Sequence, residues 1–313
     1  MNSKSSLTHF IKNEALLQGF MSIGIGKAEF MDPEAFRLEQ WLKQNYQGEM
    51  TYMENHFDKR VDPRLLVPGA KSVISLCYNY FNPVKQKDPK APKISMYAYG
   101  KDYHKVVRKK LEGLLLSIIK KVGEVNGRVF VDSAPVLERD WARRNGSGWV
   151  GKNTLLINPK MGSWFFLGEI ILDIELDYDG PIKDHCGTCT KCIDACPTEA
   201  ISPQGYFMDG SKCISYLTIE LKKDISSEFA GKMDNWMYGC DICQQVCPWN
   251  RFSEPHLEEA FLPKEELLVK TKEEWENLTE EMYQRLFEGS AVKRTKYAGL
   301  IRNIRFLGNK PLH

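Results

Sequence analysis

Between Cys186 and Cys247 lie eight of the nine cysteines, spaced as ligands of iron–sulfur clusters are spaced. Cys186-Gly-Thr-Cys189-Thr-Lys-Cys192-Ile-Asp-Ala-Cys196-Pro197 reproduces the C-x2-C-x2-C-x3-C-P run of bacterial two-cluster ferredoxins. Cys240-Asp-Ile-Cys243-Gln-Gln-Val-Cys247-Pro248 keeps the last three cysteines and the proline, and Cys213 supplies the first, displaced upstream by an insertion. Two-residue intervals let three thiolates converge on one cubane from a tight loop, while the fourth points to the neighbouring cluster. The predicted sets are Cys186, Cys189, Cys192 and Cys247 on one [4Fe–4S] cluster, and Cys196, Cys213, Cys240 and Cys243 on the other. The chemistry is one-electron transfer. Structural zinc also uses C-x2-C pairs, but a third cysteine at the same interval and the Cys-Pro ending fit zinc poorly.

Hydrophobic periodicity marks the elements that must position this module. Residues 5–18 have helical spacing, Phe20–Ile25 reads as a strand, and Asp32-Pro33 opens a helix. Val73–Tyr80 is a buried strand, with Cys77 as a core thiol. Asp102–Val122 carries one apolar stripe, Val107, Leu111, Leu114, Leu115, Ile118 and Val122, stopped by Gly123. A short strand at Arg128–Asp132, a helix from Pro135 to Gly146, and strands at Thr154–Asn158 and Trp164–Leu176 follow. Strands and helices mix without a repeated βα unit, so the fold class is α+β. Asp179-Gly180-Pro181 marks a boundary, giving segments 1–180, 181–256 and 257–313. The last reads as helical and opens with a capping box at Thr271-Lys-Glu-Glu274.

A hydrophobic content of 42% and a charged content of 27% over 313 residues describe an ordinary globular chain. No apolar run is long enough to cross a bilayer. The first residues lack an apolar signal core, so the cysteines are expected to sit reduced in the cytoplasm. A net charge of +2 does not by itself imply a polyanionic partner. Its distribution does: from Gly289 onward there are Lys293, Arg294, Lys296, Arg302, Arg305 and Lys310 and no acid. A solvated helix face would explain the same run. Lys222 and Lys223, inside the cluster insertion, form a second basic site.

Electrons need an acceptor, yet no GxGxxG or Walker motif occurs. Three other stretches stand out: Tyr99-Gly-Lys-Asp102-Tyr-His104, Val131-Asp132-Ser-Ala-Pro135-Val-Leu-Glu-Arg139, and Gly148-Trp-Val-Gly-Lys-Asn153-Thr-Leu-Leu-Ile-Asn-Pro159. Together with Gly168-Glu and the module ending Cys247-Pro-Trp-Asn250, this set resembles the epoxyqueuosine reductases, from about Val61-Asp-Pro to the basic C-terminus. The resemblance implies a cobalamin-binding α/β sheet domain of the nitroreductase and reductive-dehalogenase kind, a ferredoxin-like double-cluster module and a helical end. It implies reduction of epoxyqueuosine at the wobble position of tRNA to queuosine. It also implies a base-off corrin without a histidine ligand, in keeping with Asp102-Tyr-His104-Lys-Val-Val107, which lacks the glycine of the D-x-H-x-x-G motif.

Reducing an epoxide requires protonation of its oxygen, because an alkoxide leaves poorly. Asp132 is the expected acid, at a strand end with apolar neighbours to raise its pKa; the resemblance points to the same residue. Asp132 or Ser133 acting only as a cap for the Pro135 helix is the alternative. His104 and Asp102 are second candidates for the proton path. The resemblance assigns corrin contacts to Phe57, Tyr97, Asp132, Arg139, Lys152, Asn153, Thr154, Leu156 and Gly168. Trp149, Trp164 and Phe165 suit a pocket wall or a core equally. The expected partners are tRNA and a low-potential donor such as flavodoxin or ferredoxin. A small-molecule reductive dehalogenase and a plain electron-transfer protein are the competing readings. The first leaves the basic run unused, and the second leaves the N-terminal 180 residues without a purpose.

Overall fold

The computed structural model describes residues 3–308. Its N-terminal part is built on a four-stranded sheet of order β1-β2-β7-β4, with every neighbouring pair antiparallel. The strands are β1 (Ser22–Lys27), β2 (Ser72–Asn79), β3 (Lys93–Ile94), β4 (Gly127–Phe130), β5 (Trp149–Val150), β6 (Leu156–Ile157), β7 (Phe165–Leu172) and β8 (Trp236–Tyr238). β2 is buried from Ser72 to Tyr78 because both faces of the sheet are covered. Ile74, Leu76 and Tyr78 face helices α1 (Lys4–Leu17) and α4 (Tyr103–Val122), where Leu7, Ile11, Val107, Leu111, Leu114 and Ile118 are buried. Val73 faces Val61, Trp141 and Val136, on or beside α3 (Phe57–Val61) and α5 (Glu138–Arg144), while Cys77 packs with Ala142 of α5. Helix α2 (Asp32–Lys43) completes this side, its Glu34 buried and held by Arg37, Arg143 and Arg144. Gly26 of β1 passes so close to α5 that a Cβ there would lie 1.9 Å from Asn145 Oδ1, so only glycine fits.

Most expected elements are present, with shifted ends. The strand expected at 20–25 runs Ser22–Lys27, and the strands expected at 154–158 and 164–176 shorten to Leu156–Ile157 and Phe165–Leu172. The helix expected from Pro135 starts only at Glu138, because residues 131–137 form a loop in which Asp132 has φ 56°.

The cluster-rich stretch adds short helices α6 (Lys191–Asp194), α7 (Ile214–Ile219) and α8 (Ile242–Gln245). The C-terminal segment adds α9 (Glu265–Val269), α10 (Lys272–Glu276), α11 (Glu280–Leu286) and α12 (Lys296–Gly308). Thr271 makes the expected capping box with Glu274. These segments do not fold apart from the sheet domain. β3 pairs in parallel with β8, and Ala91, Ile94 and Ala98 share one core with Met237, Tyr238, Trp275, Tyr283, Leu300 and Ile304. The tip of the turn before β7 docks on the module at Gly162 (φ 73°), where a Cβ would meet Asn250 Oδ1 at 2.1 Å. Asn250 Oδ1 accepts from Ser163 N at 2.6 Å, and Gln244 donates to Ser163 O at 2.9 Å.

Candidate active site and electron-entry module

The N-terminus of α4 meets the end of β4. Asp102 caps the helix, accepting from His104 N at 3.0 Å, and the same oxygen pairs with His104 Nδ1 at 2.7 Å. The capping role and the proton-path role expected of Asp102 therefore coincide. His104 Nε2 lies 3.2 Å from Asp132 Oδ2, and the Tyr103 hydroxyl donates to that same oxygen. Tyr103 stacks on Phe166 at 4.2 Å and on His104 at 4.1 Å, which fixes both rings. Both nitrogens of His104 are thus engaged by carboxylates, and neither is free to ligate a metal.

The electrostatics correct one expectation. Burial does push the Asp132 carboxyl upward, but hydrogen bonds from His104 and Tyr103 and the nearby charges of His104 and Arg294 outweigh it and hold the pKa below the ordinary value. The proton sits on His104 instead. Burial disfavours the imidazolium, but bonds to Asp102 and Asp132 more than offset that and raise its pKa to about 9. The unit is an Asp102–His104–Asp132 relay holding one mobile proton at neutral pH. Because the folded pKa lies above the ordinary 6.5, the stabilisation from this ion pair is complete below about pH 6.5 and lost as pH rises through about 9. Thermal midpoints measured from pH 7 to 10 should therefore fall more steeply for the wild type than for His104→Gln. The difference should correspond to about 2–3 kcal/mol at most, given the 29% exposure of His104.

Asp132 opens into a hollow of about 1320 Å³ lined by Tyr52, His56, Arg60, Leu137, Arg139 and Arg294. A second hollow of about 850 Å³ shares Met53, Leu137, Arg139 and Asp140 with the first and extends to Trp41, Thr154 and Phe207. Arg139 lines both and donates to Thr154 O at 2.6 Å, and Thr154 itself has φ 63°. Of the other proposed corrin contacts, Phe57 packs beside this region on α3, and Tyr97 is packed edge-on to Tyr103, with its hydroxyl 3.4 Å from that of Tyr238. Lys152 and Asn153 stand between the cleft and the cysteines: Lys152 Nζ donates to Gly187 O at 2.7 Å and Cys189 O at 3.0 Å, and Asn153 to Cys243 O at 3.4 Å. Leu156 and Gly168 line neither hollow. Leu156 is 3% exposed and packs with Cys77, while Gly168 gives Leu111 of α4 room against the sheet. Trp149 and Trp164 are likewise core residues, Trp149 lying against His185 and Trp249.

The cysteines fall into the two expected groups. Cys186, Cys189, Cys192 and Cys247 line one hollow of about 410 Å³. Burial raises the Cys192 thiol to about 11, with further upward pressure from Cys186, Cys247 and Cys189. Burial and then Cys213, Cys192 and Cys196 raise Cys243, and burial with Cys213 and Cys243 raises Cys240. Cys192 and Cys243 are the neighbours across the two groups. Burial raises Cys186, Cys213 and Cys247 as well, and thiols held protonated this way ionise when a cationic iron–sulfur core binds among them.

The basic residues divide. Lys222 and Lys223 are exposed and lie against Glu49, the Lys223 ammonium at 3.3 Å. Lys293 bonds Gln284, Lys296 is exposed at φ 59°, and Arg305 is exposed. Arg294 reaches the Asp132 hollow and is held by both oxygens of Glu220, at 2.7 and 2.9 Å. Arg302 is not a free surface charge: it donates to the backbone carbonyls of Leu217, Leu221 and Lys223 and to Asn303, tying α12 to the end of α7. Lys310 lies outside the described residues. Arg302→Ala should cost about 2–3 kcal/mol of stability by leaving those carbonyls unpaired, read as a lower denaturation midpoint; Arg305→Ala should leave the midpoint unchanged. Tyr103, Glu138, Glu169, Tyr52 and Trp41 were not singled out from the sequence. Tyr103, Glu138 and Glu169 stood inside the motifs quoted above, beside residues that were.

The comparisons with known proteins agree with this geometry. Residues 185–250 match the family described as a 4Fe-4S double cluster binding domain, and residues 60–133 that described as epoxyqueuosine reductase QueG, DUF1730. An epoxyqueuosine reductase of Cellulophaga algicola is 59% identical over 307 residues, covering 98% of this chain and 100% of the relative. The chain belongs to the epoxyqueuosine reductase family. An epoxyqueuosine reductase solved with an epoxyqueuosine-modified tRNA-Tyr stem loop superposes with a TM-score of 0.84 at 31% identity, covering 96% of this chain and 80% of that one. A B12-dependent reductive dehalogenase, at 18% identity and a TM-score of 0.51 over 82% of this chain and 34% of its own, shares the fold. Membership in the epoxyqueuosine reductase family makes the chain an oxidoreductase with a double [4Fe–4S] module, and the α+β architecture is that of the family.

Proposed function

We propose that the chain reduces epoxyqueuosine at the wobble position of tRNA to queuosine in the cleft at Asp132. The observation that carries this reading is the Asp102–His104–Asp132 relay opening on a two-part hollow that the Lys152–Thr154 loop connects to the cysteine module. Two contiguous hollows whose walls combine apolar Met53 and Leu137 with polar Asp132, Arg139 and Thr154 suit a corrin with its amide arms. The residues that would hold it are Asp132, Arg139 and Thr154, while Phe57 and Tyr97 line neither hollow and pack behind. When bound, cobalamin and the clusters supply low-potential electrons.

The remaining chemistry belongs to the chain. Opening and deoxygenating the epoxide takes two electrons and two protons and releases water. Asp132 faces the substrate oxygen and, once protonated, donates to it, because an epoxide oxygen has no hydrogen of its own. His104 holds the proton to be delivered through Asp132, Asp102 keeps His104 charged, and Tyr103 fixes the Asp132 oxygen. Arg294, neutralised by Glu220, and Tyr52 wall the same cleft and would contact the nucleoside. Lys222, Lys223, Lys293, Lys296 and Arg305 supply phosphate contacts to the anticodon stem loop. Residues 1–180 would supply most of the catalytic cleft, joined by Phe207 and Arg294, residues 181–256 would conduct electrons, and the described part of 257–313, with Lys222 and Lys223, would face tRNA. Flavodoxin or ferredoxin would be the donor, in the cytoplasm. Mass analysis of tRNA nucleosides from cells lacking the protein should show epoxyqueuosine in place of queuosine. Normal queuosine without the epoxide would overturn the reading.

A further inference from the structure

Behind Asp132 stands a pair of acids that the relay does not use. Glu169 lies in mid-strand on β7, opposite Ser75 of β2 and Phe130 of β4. It is 0% exposed, and neither of its carboxyl oxygens has a hydrogen-bond partner. An unpaired acid inside a sheet is costly, so its retention asks for a function. The charge it faces is Glu138, at the start of α5, and Glu138 Oε1 accepts from the backbone N–H of Asp132 at 2.5 Å. Asp132 needs that support, because its φ of 56° is a left-handed conformation that a residue with a Cβ adopts only under constraint.

We propose that Glu138, backed by Glu169, is a positioning residue that latches the Asp132 loop in the conformation aiming its carboxyl into the cleft. This rests on the reading of Asp132 as the substrate-facing acid. The groups around Glu138 are Asp132 on the loop, Tyr103 and His104 on α4, Glu169 on β7 with Ser75 of β2 behind it, and Arg139 next in sequence. Burial raises both carboxyls, with the Asp132 charge adding to the effect at Glu138 and Glu138 adding to it at Glu169, so each is held in its protonated form near neutral pH. Its proton lets Glu138 keep an acceptor on the Asp132 N–H without setting a second full negative charge beside the Asp132 carboxylate.

The test compares Glu138→Ala with Glu138→Gln in the reconstituted holoenzyme, by amide hydrogen exchange over residues 131–137 and by kcat and KM on epoxyqueuosine-containing tRNA. Glu138→Ala should speed exchange at the Asp132 amide and lower kcat roughly ten- to hundredfold, the loss of one charge-assisted bond, with KM within about twofold. Glu138→Gln keeps an acceptor oxygen and should return exchange and kcat to within several-fold of wild type. Should the alanine variant not fold, Glu169→Gln carries the test, with the same loosening expected in smaller measure. Wild-type exchange in the alanine variant, or a glutamine variant as impaired as alanine, overturns the latch. Faster exchange in a protein that has no turnover even as wild type supports the latch and rejects the reaction assignment instead.

Discussion

Asp132→Asn is expected to lower turnover by about 10²- to 10⁴-fold, the range removed with a general acid, while cluster and corrin content stay at wild-type levels. The asparagine keeps the shape of the side chain and can still accept from Tyr103, so the loop should remain in place. It cannot carry a proton from His104 to a substrate oxygen, and it removes the charge that holds the imidazolium. The pKa of His104, raised to about 9 by Asp102 and Asp132 together, should fall toward its ordinary value with one partner gone. Titration of the His104 ring signal in the variant therefore provides an independent readout. Near-wild-type rates together with an unmoved His104 pKa would leave Asp132 as a loop residue only.

Cys213→Ser is expected to abolish turnover below detection, with iron falling from about eight atoms per chain to about four. Cys213 is the proposed ligand whose position the ferredoxin spacing does not dictate. It ends a short 3₁₀ turn over Gly210–Lys212 and caps α7, and the charge facing its thiol is Cys196. The opposite substitution, Cys77→Ser, should leave iron at about eight, since Cys77 is sealed in the sheet core away from the module. If Cys213→Ser retained full iron, the second cluster would need a different fourth ligand.

The insertion between Cys213 and Cys240 shows how far linear spacing reaches. Its residues build α7 and β8, and β8 pairs with β3 from the N-terminal half, so the insertion welds the module to the catalytic domain. Read as sequence, it is an interruption of a motif. Read in three dimensions, it presents Glu220 to Arg294 and brings that arginine to the wall of the Asp132 hollow. The basic C-terminal run divides for the same reason: Arg302 and Arg305 are three residues apart on α12, yet one meets the carbonyls ending α7 and the other meets solvent.

The sequence by itself determined the double-cluster cysteine spacing, the buried strand β2, and the helix α4 with its Asp102 cap, and it drew attention to Asp132. Each is local: cubane ligation, strand and helix periods and capping are settled within a few residues along the chain. Tertiary structure alone decided the protonation of the site. Apolar neighbours in sequence suggested a raised Asp132 pKa, but His104 and Tyr103 approach from the end of another helix and reverse its sign. Glu138 and Glu169 meet across the face of the sheet, where no spacing rule brings them together. A pKa is the sum over everything within a few ångströms, and in a fold most of that comes from distant sequence. The eight cysteines give the electron path in one dimension; the loop at Asp132 acquires its acid only when β4, α4, α5 and β7 converge on it.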